Sequence, residues 1–229
     1  MIGIERDGPV CILRLQREEK LNAISTALEE ALARALEGEA VRTSRCVVLT
    51  GAGRAFSAGA DVNELRDRTA EDIAAYYRAT GDVYERVAAL PVPTVSAIHG
   101  YCLGGGLELA LATDFRIAAT DTVFGFPEVS LGILPSSGGT YRLVRIVGPA
   151  RAKELALLGQ RFDADRALAV GLITEIGGFD RALELAQALA ELPPLAVSLC
   201  KQAIDVMPEA SRDAGILIER LAYGMLGPS

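Results

Sequence analysis

The run VCILRLQ that starts at Val10 alternates apolar and polar positions with the period of two that marks a strand. STALEEALARALE, from Ser25, repeats its apolar positions every three to four residues and predicts a helix, with Thr26 and Glu29 at the spacing of a capping box. CVVLT, from Cys46, is short and wholly apolar, as a strand buried on both faces should be. A long helix is expected over 70–90 and ends at LPVP, because Pro91 and Pro93 cannot continue it. TVSAI then reads as a strand, GGGLELALA as a helix and DFRIAA as another strand. This recurring β-β-α or β-α order predicts an α/β core over 1–147. From about Gly148 the pattern becomes almost entirely helical, PARAKELALLG through EASRDAGILIERLAYG, with one brief strand at LITEI, so a helical region is expected over 148–229.

Composition narrows the function. Half of the 229 residues are hydrophobic, which is enough to fold, and 23 basic against 30 acidic residues leave a net charge of −7. With no dense basic run, nucleic acid is not the expected partner. The opening MIGIERDGPV has charges where a signal peptide needs an apolar segment, and no uncharged apolar stretch approaches the ~18 residues of a membrane span. A soluble, cytoplasmic protein without membrane association is expected. Cys11, Cys46, Cys102 and Cys200 are far apart and read as small core residues, so neither a metal site nor a disulfide framework is expected. His99 is the single histidine, and its simplest reading is a hydrogen-bonded residue at the end of a buried strand. GxSxG and GxxxxGK[ST] are both absent.

Chemistry concentrates at YCLGGGLELALATD. A helix that begins after Gly104 points its free N–H groups and its positive dipole end toward whatever precedes it, and glycine lets a ligand approach that backbone. Tight packing of the helix on a strand would explain the glycines equally well. Glu108, three residues beyond Gly105, shares its face one turn along, so an oxyanion donor and a carboxylate can face one bound molecule. TGAGRAFSAGADVNELRD repeats the device: Asp61 and Glu64 have N-cap and N3 spacing, a helix should open at Val62, and Ala60 lies just before it with its N–H free. Two such N–H groups could make an oxyanion hole, although most glycine-rich turns are only turns.

EKLNAIS, VVLTGAGRAFSAGADVNEL, AIHGYCLGGGLELALATDFRIAA, FGFPEVSLGILPSSGGTYRL, ALLGQRFDADRALAVGLITEI and LPPLAVSLCKQAI occur in the order seen in the enoyl-CoA hydratase/isomerase (crotonase) superfamily, and the resemblance runs from the N-terminus to about Cys200. It implies a crotonase-like superhelix of β-β-α units followed by helices that build a homotrimer or a hexamer of two trimers. It implies an acyl-CoA thioester substrate, with coenzyme A as part of the substrate and no separate cofactor or metal. Ala60 and Gly105 match the oxyanion donors, and Glu108 and Glu128 match the two hydratase carboxylates. Leu21, Ala23, Ala58, Ala60, Asp61, Val62, Gly104 and Gly105 match segments around the bound acyl-CoA, and Arg17 and Lys20 are either phosphate neighbours or solvated surface charges. Retention of both carboxylates favours hydration of a 2-enoyl-CoA. The alternatives are another acyl-CoA isomerisation or dehydration, or non-catalytic acyl-CoA binding. Two positions depart from the family: Ser136 and Ser137 in LPSSGG stand where a glycine and a small residue are usual and a backbone N–H helps hold the water, and LAYGMLGPS stops short of a usual final helix.

Overall fold

The structure is a computed structural model that describes residues 1–65, 69, 71, 72, 75 and 82–227. β1 (Ile2–Asp7) and β2 (Val10–Leu15) form a hairpin in which Asp7 faces Val10, closed by Gly8 with φ 56° and Pro9. Here only glycine accepts the backbone without strain. β2 then pairs in parallel with β3 (Cys46–Gly51), β3 with β5 (Thr94–Ile98) and β5 with β7 (Phe115–Ala118). The two-residue β10 (Glu175–Ile176), all that forms of LITEI, closes this six-stranded sheet at β7. A second, four-stranded sheet runs β4 (Ala55–Ser57), β6 (Tyr101–Leu103), β8 (Val123–Gly125) and β9 (Phe162–Asp163). From β3 on, successive strands alternate between the large sheet (β3, β5, β7) and the small one (β4, β6, β8), and helical turns connect one pair to the next. This is the expected β-β-α superhelix.

In chain order the helices among the described residues are α1 (Thr26–Glu37), α2 (Glu39–Arg42), α3 (Val62–Leu65), α4 (Asp82–Ala88), α5 (Gly105–Leu111), α6 (Gly139–Leu157), α7 (Ala164–Ala169), α8 (Phe179–Glu191), α9 (Pro194–Val206) and α10 (Arg212–Met225). α1 is capped by Ser25, whose hydroxyl accepts the Leu28 N–H. The expected Thr26–Glu29 box does not form, because the helix starts one residue earlier, with Ser25 as its cap, and Glu64 takes both the N–H and the hydroxyl of Thr26. Of the expected helix over 70–90 the structure shows its last part, α4, with residues 71, 72 and 75 helical before it; residues 70, 73, 74 and 76–81 lie outside the described residues.

β2, β3 and β5 are buried on both faces, β2 although its sequence alternates. Cys11, Leu13, Leu15, Val47 and Leu49 point into the inner core. Val10, Ile12, Cys46 and Val48 point outward, against Ala182, Ala186 and Ala190 of α8. Small residues at four-residue spacing let that helix lie close on the sheet.

At Gly148 (φ 77°, followed by Pro149) α6 is broken, where the change in character is expected. Packing, however, continues past it: Ala152, Leu155, Ala164, Ala167, Leu172 and Ile173 belong to the inner core, and α8 covers the sheet. Only α9, with no buried residue, and α10, with Gly215 alone buried, stand apart from it. Cys200 on α9 is therefore exposed, unlike the three buried cysteines, and is not the core residue expected. No single helix among the described residues is long and apolar enough to cross a membrane.

Candidate active site

After β4 the chain turns at Gly59 (φ 99°), where a side chain would stand 2.9 Å from the Leu103 carbonyl. Ile24 bridges this turn in parallel: its N–H donates to Gly59 O at 2.8 Å and its carbonyl accepts the Asp61 N–H at 2.8 Å. In such a bridge the residue between the two partners, Ala60, points its own N–H to the opposite side. That side holds Gly105. Its N–H heads α5 and has no partner within the helix. A methyl built on Gly105 would lie 3.5 Å from the Ala60 nitrogen, and one built on Gly59 3.6 Å from the Gly105 nitrogen, so the two turns meet here.

Glu108, one turn along α5, is 4% exposed, and its Oε1 accepts the N–H groups of Ser137 and Gly139, each at 2.8 Å. Burial pushes its carboxyl up to about 7, helped by the nearby charge of Glu128 and opposed by the two N–H donors and the Arg142 guanidinium. A group poised near neutral pH is what acid–base catalysis requires. The backbone donors of LPSSGG, expected to hold a water, thus hold a carboxylate. Glu128 opens the 3-10 turn Glu128–Leu131 directly after Pro127 and is 7% exposed, which rules out a loop surface carboxylate. Burial raises its pKa too. Its Oε2 is buried with no protein donor among the described residues, and its Oε1 lies 2.7 Å from where a Gly104 side chain would begin.

The segments matched to acyl-CoA contacts converge on one loop cluster. Ala58 N–H donates to Leu21 O at 2.9 Å, and Val62 opens α3 beside Asp61 and Ala60. Arg17 is paired within the fold: its Nη1 holds Asp61 Oδ2 at 2.7 Å and Ala23 O at 3.1 Å, keeping the Asp61 carboxyl below its usual range. Lys20 is exposed. Asp61 caps α3 through the Asn63 N–H, but Glu64, bonded to Thr26, does not reach back to complete the box. His99 Nε2 meets the Gly53 carbonyl at 3.2 Å, so that nitrogen carries a proton and binds the loop after β3.

Sequence reasoning missed Asn22. It is wholly buried at φ 54°, donates to Ala52 O and Ala55 O, and accepts the Arg17 N–H, tying the segments at 17, 52 and 55 together behind Ala60. The available signal was its residue type, since asparagine tolerates left-handed backbone better than most. Gly139 was missed as well: a side chain there would fall 2.5 Å from Glu108 Oε1. A cavity of about 990 Å³ lies elsewhere, between α4, α6 and α9, and neither Glu108 nor Glu128 lines it.

The enoyl-CoA hydratase/isomerase family pattern matches residues 5–222. The 2,3-dehydroadipyl-CoA hydratase of Escherichia coli is 38% identical over 97% of this chain and 89% of its own length. The short-chain-enoyl-CoA hydratase of Clostridium acetobutylicum is 35% identical over 96% and 87%. Among solved structures, enoyl-CoA hydratase from Bacillus anthracis superposes with a TM-score of 0.91 at 38% identity, covering 97% of this chain and 89% of that one. The enoyl-CoA hydratase of Thermoplasma volcanium reaches 0.93 at 33% identity, covering 98% and 91%. With its fold, its paired N–H groups and its two buried carboxylates, the chain belongs to the enoyl-CoA hydratase/isomerase family and is a crotonase-type enzyme.

Proposed function

We propose that this protein is an enoyl-CoA hydratase that adds water across the 2,3 double bond of a 2-enoyl-CoA to give a 3-hydroxyacyl-CoA. The observation that carries this reading is the pair of buried carboxylates, Glu108 and Glu128, both with raised pKa, beside the neighbouring Ala60 and Gly105 nitrogens. Ionised Glu108 takes a proton from water as its oxygen bonds to C3. The π electrons move toward the thioester oxygen, where the two N–H groups hold the enolate. Protonated Glu128 then delivers a proton to C2. Two like charges so close disfavour simultaneous ionisation, so one proton is shared between the carboxylates and exchanges with solvent to reset the site. The reaction needs no metal and no cofactor beyond the coenzyme A carried by the substrate, and we place it in the cytoplasm.

Steady-state assay with a short 2-enoyl-CoA tests the reading: formation of the 3-hydroxyacyl-CoA supports it. Migration of the double bond without hydration would show the isomerase alternative, and tight acyl-CoA binding without turnover would show a binding protein.

We also propose that the enzyme assembles as a homotrimer or a hexamer of two trimers. α9 and α10 leave Leu195, Ile204, Leu217, Leu221 and Tyr223 exposed, Tyr223 at 79%. Apolar surface of this extent, on helices that contribute little to their own core, needs cover, and copies of this chain supply the same complementary apolar faces. Light scattering at micromolar concentration should give the mass of three or six protomers. A monomer there would overturn the assignment.

A further inference from the structure

Behind the segment that grips Glu108 lies an arginine with no surface role. Arg142, in the first turn of α6, is 7% exposed. One guanidinium nitrogen donates to the Ser137 carbonyl at 3.1 Å, and the other to Glu85 Oε1 at 2.7 Å. Tyr141 donates its hydroxyl to the same Glu85 oxygen at 2.6 Å, and its ring lies 4.8 Å from the Arg142 guanidinium carbon and 5.3 Å from that of Arg145. Gly138, at φ 91°, makes room: a side chain there would start 1.9 Å from Arg142 Nη1. The Arg142 fork thus spans α4 and the 137–139 backbone whose N–H groups converge on Glu108 Oε1.

We propose that Arg142 is a positioning residue for the reaction: braced by Glu85 and Tyr141, it fixes the Ser137 carbonyl and so aims the Ser137 and Gly139 N–H groups at Glu108. The inference rests on the hydratase reading for what Glu108 does, but not for how it is held. The Ser137 carbonyl lies in the peptide plane between those that carry the Ser137 and Gly139 N–H groups, so anchoring it by a charge-assisted hydrogen bond restricts the movement of both. Arg142 also brings a positive charge to the site. The ionisable groups acting on Glu108 are Arg142 from α6 and Glu128 from the 3-10 turn. β4, also packed on α5, has none, and Cys102 on β6 is kept protonated by burial. Arg142 therefore favours the ionised Glu108 that must accept the water proton, and Glu85, facing Arg142, partly offsets that charge.

The test compares Arg142→Met, Arg142→Lys and Glu85→Gln in the intact enzyme. Three quantities are read: kcat and KM for a short 2-enoyl-CoA across pH, the melting temperature, and the ¹³C NMR titration of the Glu108 carboxyl. For Arg142→Met we expect kcat to fall ~10–100-fold with KM within about threefold, and both the acidic limb of the rate and the Glu108 titration to move up by roughly half to one pH unit. Arg142→Lys restores the titration but only part of kcat, because an ammonium lacks the fork. Glu85→Gln keeps an acceptor for Arg142 while removing a negative charge, so it should move both curves the opposite way. A loss of melting temperature and rate with both curves unmoved in all three variants would overturn the proposal and make Arg142 a packing residue. Should the parent turn over no 2-enoyl-CoA, the hydratase reading fails by itself. The Glu108 titration still decides the positioning claim.

Discussion

Replacing Glu108 with glutamine should lower turnover by ~10²–10⁴ while making the protein more stable above neutral pH. The two effects share one cause. In the unfolded chain a glutamate loses its proton near its ordinary value, whereas folded Glu108 holds it to about 7, chiefly through burial. Below both values the two states carry the same proton and the residue contributes no pH dependence. Between them the unfolded state releases its proton and the folded state does not, so stability falls as pH rises, and the full penalty persists above about 7. That penalty is on the order of 3 kcal/mol, and each kcal/mol moves the melting temperature of a domain this size by roughly 2–4 °C. Glutamine keeps an Oε1 that accepts the Ser137 and Gly139 N–H groups and removes the ionisation. Melting curves of parent and variant should coincide near pH 4.5 and separate in favour of the variant by pH 8. Glu128→Gln should cause a comparable loss of turnover, since burial raises that carboxyl as well. Rates within a few-fold of the parent for both variants would remove the carboxylates from the chemistry, whatever the melting curves show.

What was legible beforehand follows physical range. The glycine run, the α5 start and the placing of Glu108 one turn beyond Gly105 are local, set by helix geometry within a few residues, and they read correctly. The β-β-α rhythm was legible because wholly apolar strands such as CVVLT announce burial on both faces. VCILRLQ read correctly as a strand, but its alternation did not reveal that α8, some 170 residues away in sequence, covers its outer face. Arg17 could not be read from its neighbours either, since its partner Asp61 lies 44 positions on. The same holds for the Arg142 fork, whose acceptor Glu85 is 57 positions back. Charges reveal their sign in sequence and their partner only in the fold. For Glu108 the sequence showed a carboxylate in an apolar helix, but the two N–H groups that make its burial tolerable come from a loop 29 and 31 positions later.

Alanine placed in turn at Gly104, Gly105 and Gly106 should give three different outcomes, because each glycine is present for a different physical reason. Gly104 has φ 48° and ψ −125°, a conformation that suits glycine, and a side chain would begin 2.7 Å from Glu128 Oε1. Alanine there should destabilise the protein and displace a carboxylate. At Gly106 the added carbon would meet Ser57 Cβ and the Ser57 carbonyl, each at 2.7 Å, so this glycine serves packing of α5 on β4, and stability should fall with no direct effect on the reacting atoms. Gly105 differs from both. Its φ is not in the left-handed range, and its nearest neighbours would be the Tyr84 hydroxyl at 3.4 Å, the Ala60 nitrogen at 3.5 Å and Ile24 Cδ1 at 3.8 Å, which are ordinary contacts. Alanine fits and reduces the freedom of the unfolded chain, so stability should hold or rise by about 0.4–1 kcal/mol. In the proposed hydration the thioester oxygen sits at the Ala60 and Gly105 nitrogens, and a methyl 3.5 Å from the Ala60 nitrogen intrudes there; displacing that oxygen from even one donor should reduce turnover by ~10²–10³. Melting temperature and kcat/KM measured side by side separate the cases. A Gly105→Ala enzyme that melts early yet turns over normally per folded molecule would mean that the whole run serves packing, and the oxyanion site would have to be sought elsewhere.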